Sequence, residues 1–178
     1  MGENATNSSF ESIRSKIESD PKYKRTLEIL REMSILDVNE LHNEILGYQA
    51  ERAKRPLLAF KRGSTRAIIK YASEDAGYRS RITYVRTLAK REVNKIEHLS
   101  GIFHDWVMAE HLRGVKATVQ EKGALVSVLA TRMYDRISKL NSLDECCLLC
   151  LEDVDQSQWQ RKAIVSALEI ESRPEGKV

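Results

Sequence analysis

Apolar side chains recur along this chain at steps of three and four residues almost from end to end. No stretch alternates apolar and polar residues at the period of two that a half-buried strand needs, so the reading is all-α. The clearest run comprises Ile68, Tyr71, Asp75, Tyr78, Ile82, Val85, Ala89, Glu92, Ile96, Leu99, Phe103 and Trp106. Only Asp75 and Glu92 interrupt its apolar character, and the pattern is the seam of a long helix of coiled-coil type. At 1.5 Å per residue it predicts a rod of roughly 60 Å. Gly77 and Gly101 weaken it locally and mark where a break would fall.

Helix starts are legible on either side of this rod. Ser8 with Glu11 has capping-box spacing ahead of Phe10, Ile13 and Ile17. Asp20 before Pro21 opens a second helix through Leu27 and Leu30 to about Met33, because proline in the first helical position sacrifices no hydrogen bond. Asp37 with Glu40 opens a third, carrying Leu41, Ile45 and Tyr48 on one face. Pro56 ends or kinks that helix and leaves a basic connector, after which Ser64 or Thr65 caps the rod. Gly114 should end the rod, with His111 and Arg113 in its last turn.

Beyond that turn, Thr118 and Glu121 form a capping box before Val126, Leu129, Met133, Ile137 and Leu140, read as one helix. Ser142 with Glu145 and Asp155 with Gln158 repeat the capping spacing, and residues 143–168 read as helix, continuous or broken near 153–155. Its seam continues through Leu143, Cys147, Cys150 or Leu151, and Val154.

A short connection between two long amphipathic helices predicts a long antiparallel coiled-coil-like helical hairpin. The expected division is short N-terminal helices in 1–55, a basic connector in 56–65, the hairpin in 66–172 and a tail in 173–178. If the N-terminal helices leave the seam uncovered, Ile82, Val85, Ile96, Leu99, Phe103 and Trp106 are the expected surface of a homo-oligomer.

Composition refines this reading in two places. At 42% hydrophobic and 31% charged, the 178 residues suit a folded, soluble chain rather than a disordered one. No apolar run approaches a membrane span, and the polar first 30 residues lack a signal core, so a cytoplasmic protein with no membrane partner is expected. The net charge of +3 conceals a profile: −3 over residues 1–50, +9 over 51–96 and −3 over 97–178.

Candidate chemistry is sparse. Cys146, Cys147 and Cys150 lack the fourth ligand and second cluster of a zinc site and read as small buried residues of a reducing compartment. His98, His104, Asp105 and His111 lack helical metal-ligand spacing, and no nucleotide loop, dinucleotide fingerprint or serine elbow occurs. No enzyme, no cofactor and no metal are therefore expected.

The basic middle is what remains. Arg52, Lys54, Arg55, Lys61, Arg62, Arg66 and Lys70 flank the connector with Phe60 and Tyr71. Arg79, Arg81, Arg86, Lys90, Arg91 and Lys95 follow along the rod, with Tyr78 and Tyr84 among them. Cations spaced along a rod suit a nucleic-acid single strand, whose phosphates track charge while bases stack on rings. No recognition helix or ribonucleoprotein motif is present, which implies little sequence preference.

This basic helical stretch is followed by the turn Gly114–Val115–Lys116–Ala117–Thr118–Val119–Gln120–Glu121–Lys122 and a second amphipathic helix. The arrangement resembles small helical bacteriophage proteins of the recombination-mediator type over residues 66–172. A lesser likeness, around Arg81–Val85 and Lys95–Glu97, is to helical portions of replication-complex subunits. The mediator resemblance implies an oligomer in the host cytoplasm that binds single-stranded DNA and helps load a recombinase onto strands covered by single-strand-binding protein. The expectation is thus a non-enzymatic single-strand-binding accessory of recombination or replication, with a recombinase or replication protein as partner. The alternative is a helical scaffold or adaptor acting through protein contacts along the apolar seam.

Overall fold

The computed structural model describes residues 3–55 and 64–172, and every element among them is a helix. In order these are α1 (Glu3–Ser19), α2 (Pro21–Met33), α3 (Val38–Ala53), α4 (Ser64–Glu110), α5 (Val119–Leu129) and α6 (Thr131–Ser172). The all-α expectation and the two long helices hold. Pro56 and the basic connector lie outside the described residues.

Local chemistry explains the starts. Asp20 caps α2 by accepting from the Lys22 N–H at 2.7 Å, with Pro21 first in the helix. Asp37 caps α3 by accepting from the Glu40 N–H at 3.0 Å. At α5 the capping box closes in both directions: the Glu121 N–H donates to the Thr118 hydroxyl, and the Thr118 N–H donates to the Glu121 carboxylate at 2.7 Å. Gly114 stands at φ 81°, a left-handed conformation that glycine adopts without a Cβ clash, in the turn after α4.

Several boundaries differ from expectation. α1 begins at Glu3, ahead of the Ser8–Glu11 pair. α4 runs unbroken through Gly77 and Gly101 and ends at Glu110, so His111 and Arg113 lie just beyond its last turn. Ser142 with Glu145 and Asp155 with Gln158 are interior to α6 and cap nothing. The break falls instead at Ala130, between α5 and α6. There the Ala130 N–H donates back to the Val126 and Val128 carbonyls, and the Thr131 hydroxyl adds a second donor to Val128 at 2.7 Å.

The chain divides into two compact units that do not follow chain order. One comprises Met1–Leu36 and Ala89–Ser142, the other Asp37–Leu88 and Leu143–Val178. In the first unit, α1 packs on α2 and α5, and the core is built from Ile17, Ile96, Phe103, Val107, Leu112, Val126, Met133 and Leu140. Tyr23 reaches across it, its ring 5.9 Å from that of Phe103. In the second unit, Ile45 of α3 shares a core with Ile82 and Val85 of α4 and with Leu143, Cys147, Cys150 and Val154 of α6. Here α4 and α6 are antiparallel. As the α4 residue advances from Asp75 to Arg79 to Arg86, its α6 partner retreats from Arg161 to Asp155 to Asp144.

The seam expected to face a second copy is therefore occupied from within. Ile82, Val85, Ile96, Leu99 and Phe103 are all buried in the single chain, and Trp106 is half-buried. Ring contacts with Phe103 (5.8 Å) and His111 (5.0 Å) fix Trp106 in its place. The physical cause is that α1, α2 and α3, with α5 and α6, supply enough apolar surface to cover the rod.

Candidate nucleic-acid interface

Both polar interruptions of the α4 seam are buried carboxylates held by arginines. In the second unit, Asp75 is fully buried and accepts from three guanidinium groups: Arg52 Nε at 3.1 Å, Arg55 Nη1 at 2.7 Å, and Arg161. Arg52 also pairs with Asp153 and donates to the Asp153 carbonyl (3.0 Å) and the Ser157 hydroxyl (2.7 Å). Arg55 pairs with Glu74 at 3.0 Å. Three arginines thus meet three carboxylates, and the cluster is neutral. Burial pushes the Asp75 carboxyl up, but the guanidinium groups outweigh it and hold it below the ordinary aspartate value.

In the first unit Glu92 plays the corresponding part. Arg136 Nε donates to its carboxylate at 2.7 Å and, through Nη2, to the Leu36 carbonyl at 2.7 Å. The segment between α2 and α3 is thereby tied to α4 and α6.

This arrangement redistributes the expected cationic site. Arg52 and Arg55 are structural cations, buried and half-buried, and not a phosphate-binding surface. Arg81 is gripped by both Glu44 oxygens at 2.8 and 2.9 Å, which raises its pKa and lowers that of Glu44. Arg86 pairs with Asp144 at 2.8 Å, and Arg79 pairs with Asp155. Lys54 pairs with Glu51 at 2.8 Å and Lys70 with Glu74 at 3.8 Å, both on the surface. Lys90 is exposed and also engaged. Lys61 and Arg62 lie outside the described residues. Arg66, Arg91 and Lys95 are exposed and enter no ion pair among the described residues.

The expected stacking platform is likewise filled. The Tyr78 ring stacks on Tyr48 at 4.6 Å, and the Arg55 guanidinium lies over Tyr71 at 4.8 Å. Tyr84 differs: its ring is exposed, with Arg81 beside it.

What stays open is the outer face of α4 in the first unit. With Ala89, Glu92, Ile96, Leu99 and Phe103 turned inward, 100° per residue turns Arg91, Asn94, Glu97, His98 and Asp105 outward, with Lys95 and Ile102 toward one margin of the face. All seven are exposed; Glu97 and Asp105 are acidic, while Arg91 and Lys95 lie together on the side away from Glu97. Arg91 and Lys95 stand one turn apart, about 6 Å along the axis. Like charges at that spacing cost a helix a few tenths of a kcal/mol, a penalty that an anion laid across them reverses.

The cysteines carry no comparable signal. Cys147 and Cys150 are buried and Cys146 half-buried, all three free. Burial pushes each thiol up, Cys147 to about 12. Native protein titrated with an aromatic disulfide reagent at pH 8 should therefore leave Cys147 and Cys150 unreacted, and all three should react on unfolding. Rapid native reaction of all three would overturn this reading. Among the described residues no cluster of His, Cys, Asp or Glu fits a metal ion, and no helix is long and apolar enough to cross a membrane. Comparison with protein-family models, curated proteins and solved structures found no match.

Proposed function

We propose that this chain is a non-enzymatic helical protein that binds single-stranded nucleic acid along the outer face of α4, as an accessory of recombination or replication. The observation that carries this reading is the exposed pair Arg91 and Lys95, one turn apart on α4, two permanent cations with no ion-pair partner among the described residues. Such a pair binds phosphates without reading bases, so affinity is set by charge and falls with salt. DNA is the expected strand, and a recombinase or replication protein the expected partner.

Fluorescence anisotropy with a labelled oligothymidine across a salt series tests the proposal. Replacing Arg91 and Lys95 together by glutamate should weaken binding at least tenfold and flatten the salt slope by roughly 0.7 for each phosphate that is no longer neutralised. Arg79→Gln, which removes a cation already neutralised by Asp155, should change little. Wild-type protein that ignores the oligonucleotide at low salt, or a double variant that binds as before, would sink the assignment.

A further inference from the structure

Helix α6 carries a second stripe, on the side away from its buried seam. Glu145, Leu149, Glu152, Gln156, Trp159 and Ala163 follow one another at steps of 4, 3, 4, 3 and 4 residues, and all six are exposed. Trp159 is 75% and Leu149 62% exposed, a large apolar area to leave in water on a helix whose opposite face already supplies a core. Alternating steps of three and four are the spacing of a coiled-coil contact.

The order of steps reads the same from either end, with its midpoint at Val154. A two-fold axis at that level brings two antiparallel copies of the stripe together with each position facing a defined counterpart. Leu149 meets Trp159 of the second copy, Glu152 meets Gln156, and Glu145 meets Ala163 beside the exposed Lys162. No like charges oppose each other, and the Gln156 amide can donate to the Glu152 carboxylate. Parallel pairing would instead set Glu145 on Glu145 and Glu152 on Glu152, which repel. We propose that this stripe docks a second copy of the chain, α6 against α6, antiparallel and two-fold symmetric. A symmetric interface of this kind closes on itself and stops at a dimer. It uses none of the α4 residues assigned to nucleic acid, so it stands apart from that reading.

Sedimentation equilibrium of the full chain, from micromolar to several hundred micromolar, tests it. Wild type should pass from monomer to dimer, and Trp159→Glu should stay monomeric with unchanged helical circular dichroism. Gln156→Glu places Glu against Glu at two symmetric points and should weaken the dimer roughly tenfold. Adding Glu152→Lys to that variant turns both contacts into ion pairs and should restore it. A wild-type monomer at the highest concentration, a dimer indifferent to Trp159→Glu, or a failed rescue would each overturn the proposal. Oligonucleotide binding by Trp159→Glu should persist, which keeps the two assignments separable.

Discussion

Alanine at position 75 is expected to remove about 3–5 kcal/mol from the unfolding free energy, measured as a lower urea midpoint at unchanged slope. Asp75 is fully buried, and the side chains of Arg52, Arg55 and Arg161 keep only 6%, 15% and 11% of their exposure. Deleting the carboxylate leaves guanidinium charge where water does not reach it. A domain is typically stable by about 5–15 kcal/mol, so this one side chain is a large fraction of the whole. Replacing Asp75 and Arg161 together by leucine should recover much of that stability, since Arg52 keeps Asp153 and Arg55 keeps Glu74. An Asp75→Ala variant as stable as wild type would show that the cluster is not a structural centre.

The sign of the acid dependence follows from the same group. The folded pKa of Asp75 lies below its ordinary value, so its contribution is fully present above about pH 4. It is lost as pH falls through the folded value. Stability curves of wild type and Asp75→Asn should therefore differ most near neutrality and converge in acid.

Phe103→Ala is the second large effect, at about 3–5 kcal/mol. Phe103 is 1% exposed and wedged between the rings of Tyr23 and Trp106. Had the α4 seam been a contact between copies, truncation there would dissociate an oligomer and spare the fold. With the seam covered by the chain's own helices, the loss is expected in denaturant unfolding. A variant that keeps its unfolding midpoint but changes its sedimentation would reverse that conclusion.

How much of the fold and of the site is legible in the sequence depends on the kind of signal. The spacing along α4 reports a buried seam faithfully, and Asp37, Pro21 and the Thr118–Glu121 pair mark real helix starts. The break at Ala130 is silent because Val126, Leu129 and Met133 keep helical spacing straight across it, with no glycine or proline to announce the interruption. The charge profile misleads for a different reason. Net charge sums residues along the chain, whereas Arg52, Arg55, Arg81 and Arg86 are neutralised by Asp75, Glu74, Glu44 and Asp144, brought to them by folding. The α6 seam holds a further signal. From Leu143 back through Leu140 it reaches Arg136, and from Val154 forward through Ser157 it reaches Arg161. Two seam arginines on one helix and two seam carboxylates on the other are complementary in the primary structure.

Those buried charges also act as keys against sliding. Two long helices with repeating apolar seams can match in several registers one heptad apart at nearly equal hydrophobic gain. Displacing α6 by seven residues one way would set Val154 against Asp75. The opposite displacement would set Leu143 against Glu92. The first takes Arg161 from Asp75, leaving it to Arg52 and Arg55, and the second takes Arg136 from Glu92, a cost that apolar contacts do not return. Hydrophobic residues thus make the hairpin adhere, while Asp75 and Glu92 decide where along its length it stops.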